Sequence, residues 1–352
     1  CGIAGILTRH VRSNEWLARE SGCMIRQLAH RGPDHEDIWV DDNGRVCLAH
    51  RRLSIIDLSA DGHQPMESAS GNHVLVFNGE IYNFQMLRLE LESAGHIFKT
   101  HSDTEAIVHC YEEYGEDCLI HLHGMFAFAL WNGRTQKLIL ARDRVGQKPL
   151  FYTEVNGELL FASEIQALLQ SASVSREINF QGIDLYMTYG YIPAPHTAFK
   201  EIRKLPPASY LVAQNGKVTV HRYWDLAYTP KLKISEMEAC ERLLVLLKEA
   251  VALRMISDVP LGAFLSGGID SSAVVALMSQ LSDKPVKTFS IGFEEKSYSE
   301  LKYANIVAQH FGTDHEEFVV TADLTGDLET IVRFADEPFA DSSMIPMYYL
   351  SR

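Results

Sequence analysis

The chain has 352 residues, enough for about two domains at roughly 100–200 residues each. Its formal net charge is −14 with no long run of like charge, which argues against a sequence-independent grip on nucleic acid or an anionic membrane surface. No stretch reaches about 18 uncharged apolar residues; "LLVLLKEAVALRM" comes nearest, but Lys248, Glu249 and Arg254 interrupt it, so it reads as a helix with one buried face.

The chain starts "CGIAGI", which places a thiol and an α-amine on Cys1. An α-amine titrates near 7.7–8.0 and can act as a base near neutral pH, so nucleophile and base can share one residue. Position alone leaves a trimmed start equally open. The other cysteines are Cys23, Cys47, Cys110, Cys118 and Cys240; none forms a C-x-x-C pair, and no Cys/His spacing resembles a zinc site. Scattered single cysteines and the lack of a basic-then-apolar leader pattern lead to the expectation of a reducing, cytoplasmic location.

Further along, "LAHRRLSIID" carries Arg51 and Arg52 near a strand, and "VFNGEIYNF" runs as a strand that stops at Asn78-Gly79-Glu80. An Asn side-chain amide and a Gly N–H suit an oxyanion hole, although Asn-Gly is also a common turn. Ser102 and Glu105 form a capping box before a helix with apolar residues at Ala106, Ile107, Cys110, Tyr111 and Tyr114; Asp103 inside it is equally a helix-dipole acid. Asn132-Gly133, Asn156-Gly157 and Asn215-Gly216 each separate two apolar runs and predict hairpins. Residues 1–222 thus read as an α+β layered domain, and 223–236 as a linker.

Residues 237–352 alternate helix and strand, predicting a parallel sheet with crossover helices. The strand "VPLGAFL", the loop "SGGIDSS" and the helix "AVVALMSQL" put paired glycines and the hydroxyls of Ser266, Ser271 and Ser272 at a helix start, which favours an anion. A carboxylate at Asp270 fits a polyphosphate only if a cation such as Mg²⁺ lies between them. On spacing alone a plain glycine-rich turn is as good a reading; the Walker A lysine is missing. There is no internal repeat or low-complexity segment, and "PMYYLSR" ends the chain inside a helix.

The motifs "CGIAGI", "HRGPD", "HRRLSIID", "QPM", "NGEIYNF", "SDTE", "GMFAFALWN", "ARDRVGQKPLFY", "ASEI", "LSGGIDSS" and "FSIGF" stand in this order. With them the whole chain resembles the glutamine-hydrolysing asparagine synthetase family. The resemblance implies an N-terminal-nucleophile (αββα sandwich) domain, the class II glutamine amidotransferase, followed by an α/β parallel-sheet ATP pyrophosphatase-type domain.

It further implies that Cys1 attacks the glutamine amide, with Asn78 and Gly79 holding the oxyanion. Arg52 would clamp the substrate carboxylate, Leu53, Ser54, Ile55 and Ile56 would line the pocket, and Glu80 and Asp103 would take the ammonium. Leu265, Ser266, Gly267, Gly268, Asp270, Ser271, Ser272 and Ile291 would bind ATP, with Mg²⁺ on Asp270. Aspartate would be adenylated, and ammonia led internally from the first site would displace AMP to give asparagine. Pairing as a homodimer is also implied, with no nucleic-acid or membrane partner. Members continue past the counterpart of "PMYYLSR" with a second ATP loop and a helical region, so the chain is expected to be C-terminally incomplete, able to hydrolyse glutamine but not to finish the ATP-dependent step. Relatives that amidate other carboxylates, in antibiotic or cell-surface polymer pathways, and a non-catalytic glutamine or nucleotide sensor remain alternative readings; the intact set of polar residues around Cys1 speaks against the sensor.

Overall fold

A computed structural model describes residues 1–293, 299–320 and 324–351. Its chain divides into two units, Cys1–Leu226 with Asp336–Phe339, and Ala227–Ala335 with Ala340–Arg352. Arg352, the last residue of "PMYYLSR", lies outside the described residues.

The first unit contains strands β1 (Gly2–Thr8), β2 (His35–Val40), β3 (Val46–Arg52), β4 (Met66–Glu67), β5 (His73–Ile81), β6 (Gly124–Asn132), β7 (Lys137–Arg142), β8 (Phe151–Val155), β9 (Glu158–Ala162), β10 (Arg203–Lys204), β11 (Ser209–Gln214) and β12 (Lys217–Arg222). They form two six-stranded sheets, ordered β10-β8-β9-β1-β3-β2 and β12-β11-β7-β6-β5-β4. Its helices are α1 (Asn14–Arg26), α2 (Phe84–Ser93), α3 (Asp103–Tyr114), α4 (Cys118–His121), α5 (Ile165–Leu168) and α6 (Phe180–Tyr189).

Strand alternation explains the layering. In β1, Ile3 points into the core between the sheets, with Val46, Val74, Val76 and Phe161. Its neighbours Ala4 and Ile6 point the other way, onto Leu17, Met24 and Ile25 of α1. Helix α3 packs on β5 of the second sheet. The result is an αββα sandwich, in which each fully buried Leu or Ile contributes about 1.5–3 kcal/mol. Close approach at the middle of β1 requires glycine: a Cβ on Gly5 would lie 2.5 Å from the Phe161 ring and 2.6 Å from the Cys47 carbonyl oxygen.

Two predicted hairpin turns have the expected geometry. Asn156 (φ 52°) with Gly157 (φ 79°) joins β8 to β9, and Asn215 (φ 52°) with Gly216 (φ 73°) joins β11 to β12. The third differs. Asn132 is the last residue of β6 and pairs with Lys137, so the loop has four residues, and the Asn132 side chain accepts the Thr135 amide at 3.0 Å instead of sitting in a tight turn. Strand β5 also does not stop at Asn78. It continues to Ile81, with Asn78 opposite Ala127 and Gly79 opposite Phe126, because β6 supplies a pairing partner for every residue.

The segment Asp336–Phe339 packs with the first unit. The Asp336 carboxylate accepts the amides of Ile165 and, at 2.9 Å, Gln166 at the start of α5, and Glu337 pairs with Lys204. Burial pushes the Asp336 carboxyl up to about 6.

The second unit has a parallel sheet of β13 (Gly262–Phe264), β14 (Lys287–Phe293) and β15 (Asp314–Val320) in sequential order. Its helices are α7 (Glu236–Arg254), α8 (Ile269–Leu281), α9 (Leu301–Phe311), α10 (Leu324–Ala335) and α11 (Met344–Ser351). The strand expected over "VPLGAFL" is shorter, only Gly262–Phe264, since Pro260 has no N–H to donate to a ladder. Helix α8 starts earlier than expected, at Ile269, so Asp270 lies in its first turn. Among the described residues no helix is long and apolar enough to cross a membrane.

Candidate active sites

Cys1 precedes β1 and lies at a cavity of about 140 Å³. The cavity is lined by Arg52, Leu53, Ile55, Ile56, Asn78, Gly79, Glu80 and Asp103, which brings the predicted glutamine-site residues together with one exception. Ser54 is not in the lining; its amide donates to Asp34 Oδ2 at 2.8 Å. The Cys1 thiol faces the Leu53 backbone, donating to its carbonyl oxygen at 3.6 Å and accepting from its amide at 3.4 Å.

Burial brings the Cys1 α-amine down to about 5, assisted by the positive charges of Lys148 and Arg31. An amine with that value is a free base at neutral pH, whereas an ordinary one at 8 is mostly protonated. Cys47, by contrast, is buried in the core and pushed up to about 12 by desolvation. A buried thiol with a raised pKa is inert.

The other polar groups are held by the frame around the cavity. Arg52, at the end of β3, donates to the carbonyl oxygens of Ser59 (2.9 Å) and Asp57. These bonds fix the guanidinium plane and leave its other N–H groups for a ligand. Asp103 begins α3, where Ser102 caps the helix by accepting the Thr104 amide at 3.2 Å. The capping box is not closed as expected. The Glu105 carboxylate instead takes the amides of Lys99 (2.8 Å) and Thr100 (2.7 Å), further back along the chain.

Asp103 accepts the Ile81 amide at 2.9 Å, and burial pushes its carboxyl up to about 7, with the nearby Glu80 charge adding to the rise. The Asn78 side chain is 2% exposed, and its Nδ2 donor has no hydrogen-bond partner. An orphaned donor costs about 1–3 kcal/mol, so it marks a place where an acceptor from outside is expected.

The second unit carries a cavity of about 390 Å³ lined by Leu265, Ser266, Ser271, Ile291 and residues of α9 and α11. Four predicted ATP-site residues are therefore gathered there, while Gly267 and Gly268 in the adjoining loop, and Asp270 and Ser272 in the first turn of α8, are not in the lining. Ser266 Oγ lies 3.0 Å from Ser271 Oγ and accepts the Gly268 amide at 3.2 Å; Ser272 N–H donates to Gly268 O at 3.0 Å. The loop is thus preformed at the N-terminus of α8.

Residues 1–224 match the family described as a glutamine amidotransferase domain, and residues 242–352 match the one described as asparagine synthase. The chain belongs to the glutamine-hydrolysing asparagine synthetase family. Asparagine synthetase (glutamine-hydrolyzing) 1 of Bacillus subtilis is 35% identical over 358 residues, covering 100% of this chain and 55% of the relative. Asparagine synthetase (glutamine-hydrolyzing) 3 of the same organism is 34% identical, covering 98% and 59%. Amidase chry2 of Gibberella zeae is 37% identical over 297 residues, covering 80% and 43%. The chain spans about half the length of these relatives.

In this asparagine synthetase family member the structure adds cavity residues to those picked from the sequence. Lys148 lines the first cavity, and its loop is caged by the buried Asp143 carboxylate, which accepts the amides of Val145, Gln147 and Lys148 at 3.2, 2.9 and 2.9 Å. Gln64 bridges two walls, accepting the Phe77 amide at 2.6 Å and donating to Thr104 Oγ1 at 3.2 Å. Both lie in segments that carried the resemblance, "ARDRVGQKPLFY" and "QPM", but neither has local chemistry that marks it.

Gly267 allows a direct test of the second cavity. It has φ +79°, and a Cβ there would lie 2.5 Å from the Ala304 backbone nitrogen. Gly267→Ala is expected to cost about 1–3 kcal/mol through the strained backbone, with the clash adding to it. The thermal midpoint of the second unit and its affinity for an ATP analogue should both fall. Unchanged values for both would show that the loop relaxes freely.

Proposed function

We propose that the first unit hydrolyses the side-chain amide of glutamine at Cys1, and that the second uses ATP to activate the β-carboxylate of aspartate for attack by the ammonia released. The observation that carries this reading is the α-amine of Cys1, lowered to about 5 beside its own thiol in a pocket with groups for a zwitterion. Arg52 offers a planar cation to the α-carboxylate, and Asp103 with Glu80 offers anions to the ammonium.

Where Cys1 carries a free α-amine, that amine takes the thiol proton as sulfur bonds to the amide carbon. The oxyanion accepts from Asn78 Nδ2 and the Gly79 amide. The amine then gives its proton to the departing nitrogen, the C–N bond breaks, and a glutamyl thioester and ammonia remain. Water, activated by the same amine, releases glutamate.

For the second unit the fit is of chain to nucleotide. Leu265 and Ile291 supply apolar walls, Ser266 and Ser271 supply hydroxyls, and the Gly267 turn lets backbone amides approach phosphates. Asp270, in the first turn of α8, is the carboxylate that would hold Mg²⁺, which when bound offsets phosphate charge. Aspartate β-carboxylate would displace pyrophosphate from ATP, and ammonia would then displace AMP to give asparagine. Full-length protein given glutamine, ATP, Mg²⁺ and a panel of carboxylates should release ammonia and form asparagine. A product formed from another carboxylate in place of aspartate would shift the reading to a different acceptor, a possibility raised by the similarity to amidase chry2.

A pH profile separates the two groups in the first site. In the free enzyme Asp103 carries its charge only above about 7, because its carboxyl is raised from 3.8. The Cys1 amine is a free base above about 5, because it is lowered from 8.0. Thus kcat/KM for glutamine should be flat above about 7, fall about tenfold per pH unit below it, and steepen below about 5. Substrate ammonium favours the ionised form of Asp103, so kcat should hold down to nearer 5. An apparent kcat pKa near 8 would contradict the assignment of the base.

A further inference from the structure

A second group of chemically matched side chains lies in the first unit, outside the Cys1 cavity. His109 and Glu112 stand three residues apart on α3, and His96 lies in the connection between α2 and α3. Each can offer one ligand atom within 4.8 Å of the others. His109 Nδ1 is 2.9 Å and His96 Nδ1 is 3.7 Å from the same oxygen, Glu112 Oε2. Tetrahedral zinc with bonds of about 2.0–2.1 Å needs ligand atoms about 3.3 Å apart, which lies between these two separations.

The far side of each group is also occupied. His109 Nε2 is buried, has no hydrogen-bond partner and faces Glu105 Oε1 at 3.6 Å. His96 Nε2 is 3.1 Å from Glu113 Oε2, and Glu112 Oε1 is 3.3 Å from His73 Nδ1. A histidine that ligates a metal characteristically donates its other ring N–H to a carboxylate, which fixes the tautomer and raises ligand basicity. His96 is arranged that way, with Nδ1 toward the shared oxygen and Nε2 within hydrogen-bond reach of Glu113, whereas His109 Nε2 only faces Glu105 at 3.6 Å, beyond hydrogen-bond distance.

We propose that His96, His109 and Glu112 bind one Zn²⁺, with water as the fourth ligand. Two imidazoles and one carboxylate suit zinc better than magnesium or calcium, which prefer oxygen ligands alone. The ion would tie the loop after α2 to the middle of α3, the helix whose first residue, Asp103, lines the Cys1 cavity. The Cys/His spacing in the sequence gives no sign of it, because the third ligand is a glutamate and His96 is 13 positions from His109.

The test is to titrate ZnCl₂ into the chelator-washed full chain by calorimetry, against His96→Ala, Glu112→Gln and Cys1→Ala. One zinc per chain is expected, with affinity at least about tenfold weaker in His96→Ala and in Glu112→Gln and unchanged in Cys1→Ala. Bound Co²⁺ should show the intense visible absorption of a tetrahedral N/O site without sulfur charge transfer. His96 is partly exposed, so its truncation should fold, and Glu112→Gln keeps the volume if it does not. No binding, affinity in both ligand variants unchanged from that of the unsubstituted chain, or loss of binding only in Cys1→Ala would overturn the proposal; the last would place zinc on the N-terminal thiol and amine.

Discussion

Cys1→Ala is expected to lower ammonia release from glutamine by at least about 1,000-fold, the scale on which removal of a nucleophile acts. The other thiols should not substitute for it. Cys47, Cys110 and Cys118 are buried in the core, and Cys23 and Cys240 are not in the cavity lining. Stability should change little, because among the described residues the Cys1 sulfur makes just two hydrogen bonds, both long, with the Leu53 backbone at 3.4 and 3.6 Å. In full-length protein, synthesis supplied with ammonia in place of glutamine should survive, since the lesion removes only the ammonia source. A residue placed ahead of Cys1 should act like the alanine variant even though the thiol remains, because the amine becomes an amide and the base is gone. Ammonia release at an undiminished rate from Cys1→Ala would falsify the assignment of the nucleophile.

Asn78→Ala should lower kcat by about 100–1,000-fold, the loss that follows removal of one oxyanion donor. Its effect on folding should run the other way. The Nδ2 donor is already buried and unpaired, so its desolvation cost is present in the native state before substrate arrives. Removing it relieves that cost and offsets the cavity left behind, so the thermal midpoint should stay level or rise while turnover falls. Such a trade of stability against activity is expected where a site holds a donor ready for charge that develops only in the transition state. A large fall in midpoint with only a proportionate fall in rate would make Asn78 a structural residue, and the oxyanion would need another donor.

Glutamine titration of intact protein offers a related check on Asp103. Asp103→Asn should raise KM for glutamine and remove the limb of the pH profile near 7, while leaving the limb near 5 that belongs to the Cys1 amine. Loss of both limbs would mean that one group controls both.

Much of this protein is set by local sequence. The near-continuous apolar run "GIAGIL" suits a strand buried on both faces, and Asn156-Gly157 and Asn215-Gly216 specify their turns because few residues other than Asn and Gly tolerate positive φ there. The helix–strand order after residue 236 is enough for a parallel sheet. Most residues at the two cavities were picked through the ordered set of motifs that carries the family resemblance, since each taken singly had an equally good structural reading.

What the sequence could not settle depends on neighbours distant in the chain. Whether Asn78-Gly79 turns or continues as strand was decided by β6, which pairs with it from some 50 positions away. Asn132-Gly133 looked like the other two turns, but the register of β6 against β7 pairs Asn132 with Lys137 and needs four loop residues. The value of about 5 for the Cys1 amine comes from desolvation and from Lys148 and Arg31, which only folding brings near it. Lys148 and Gln64 entered the site for the same reason. Charge, burial and hydrogen-bond reach act through space and fall off over a few ångströms, so a residue's chemistry is set by its three-dimensional neighbours; the i, i+3 spacing of His109 and Glu112 puts those two on one helix face, but only the fold brings His96 to them.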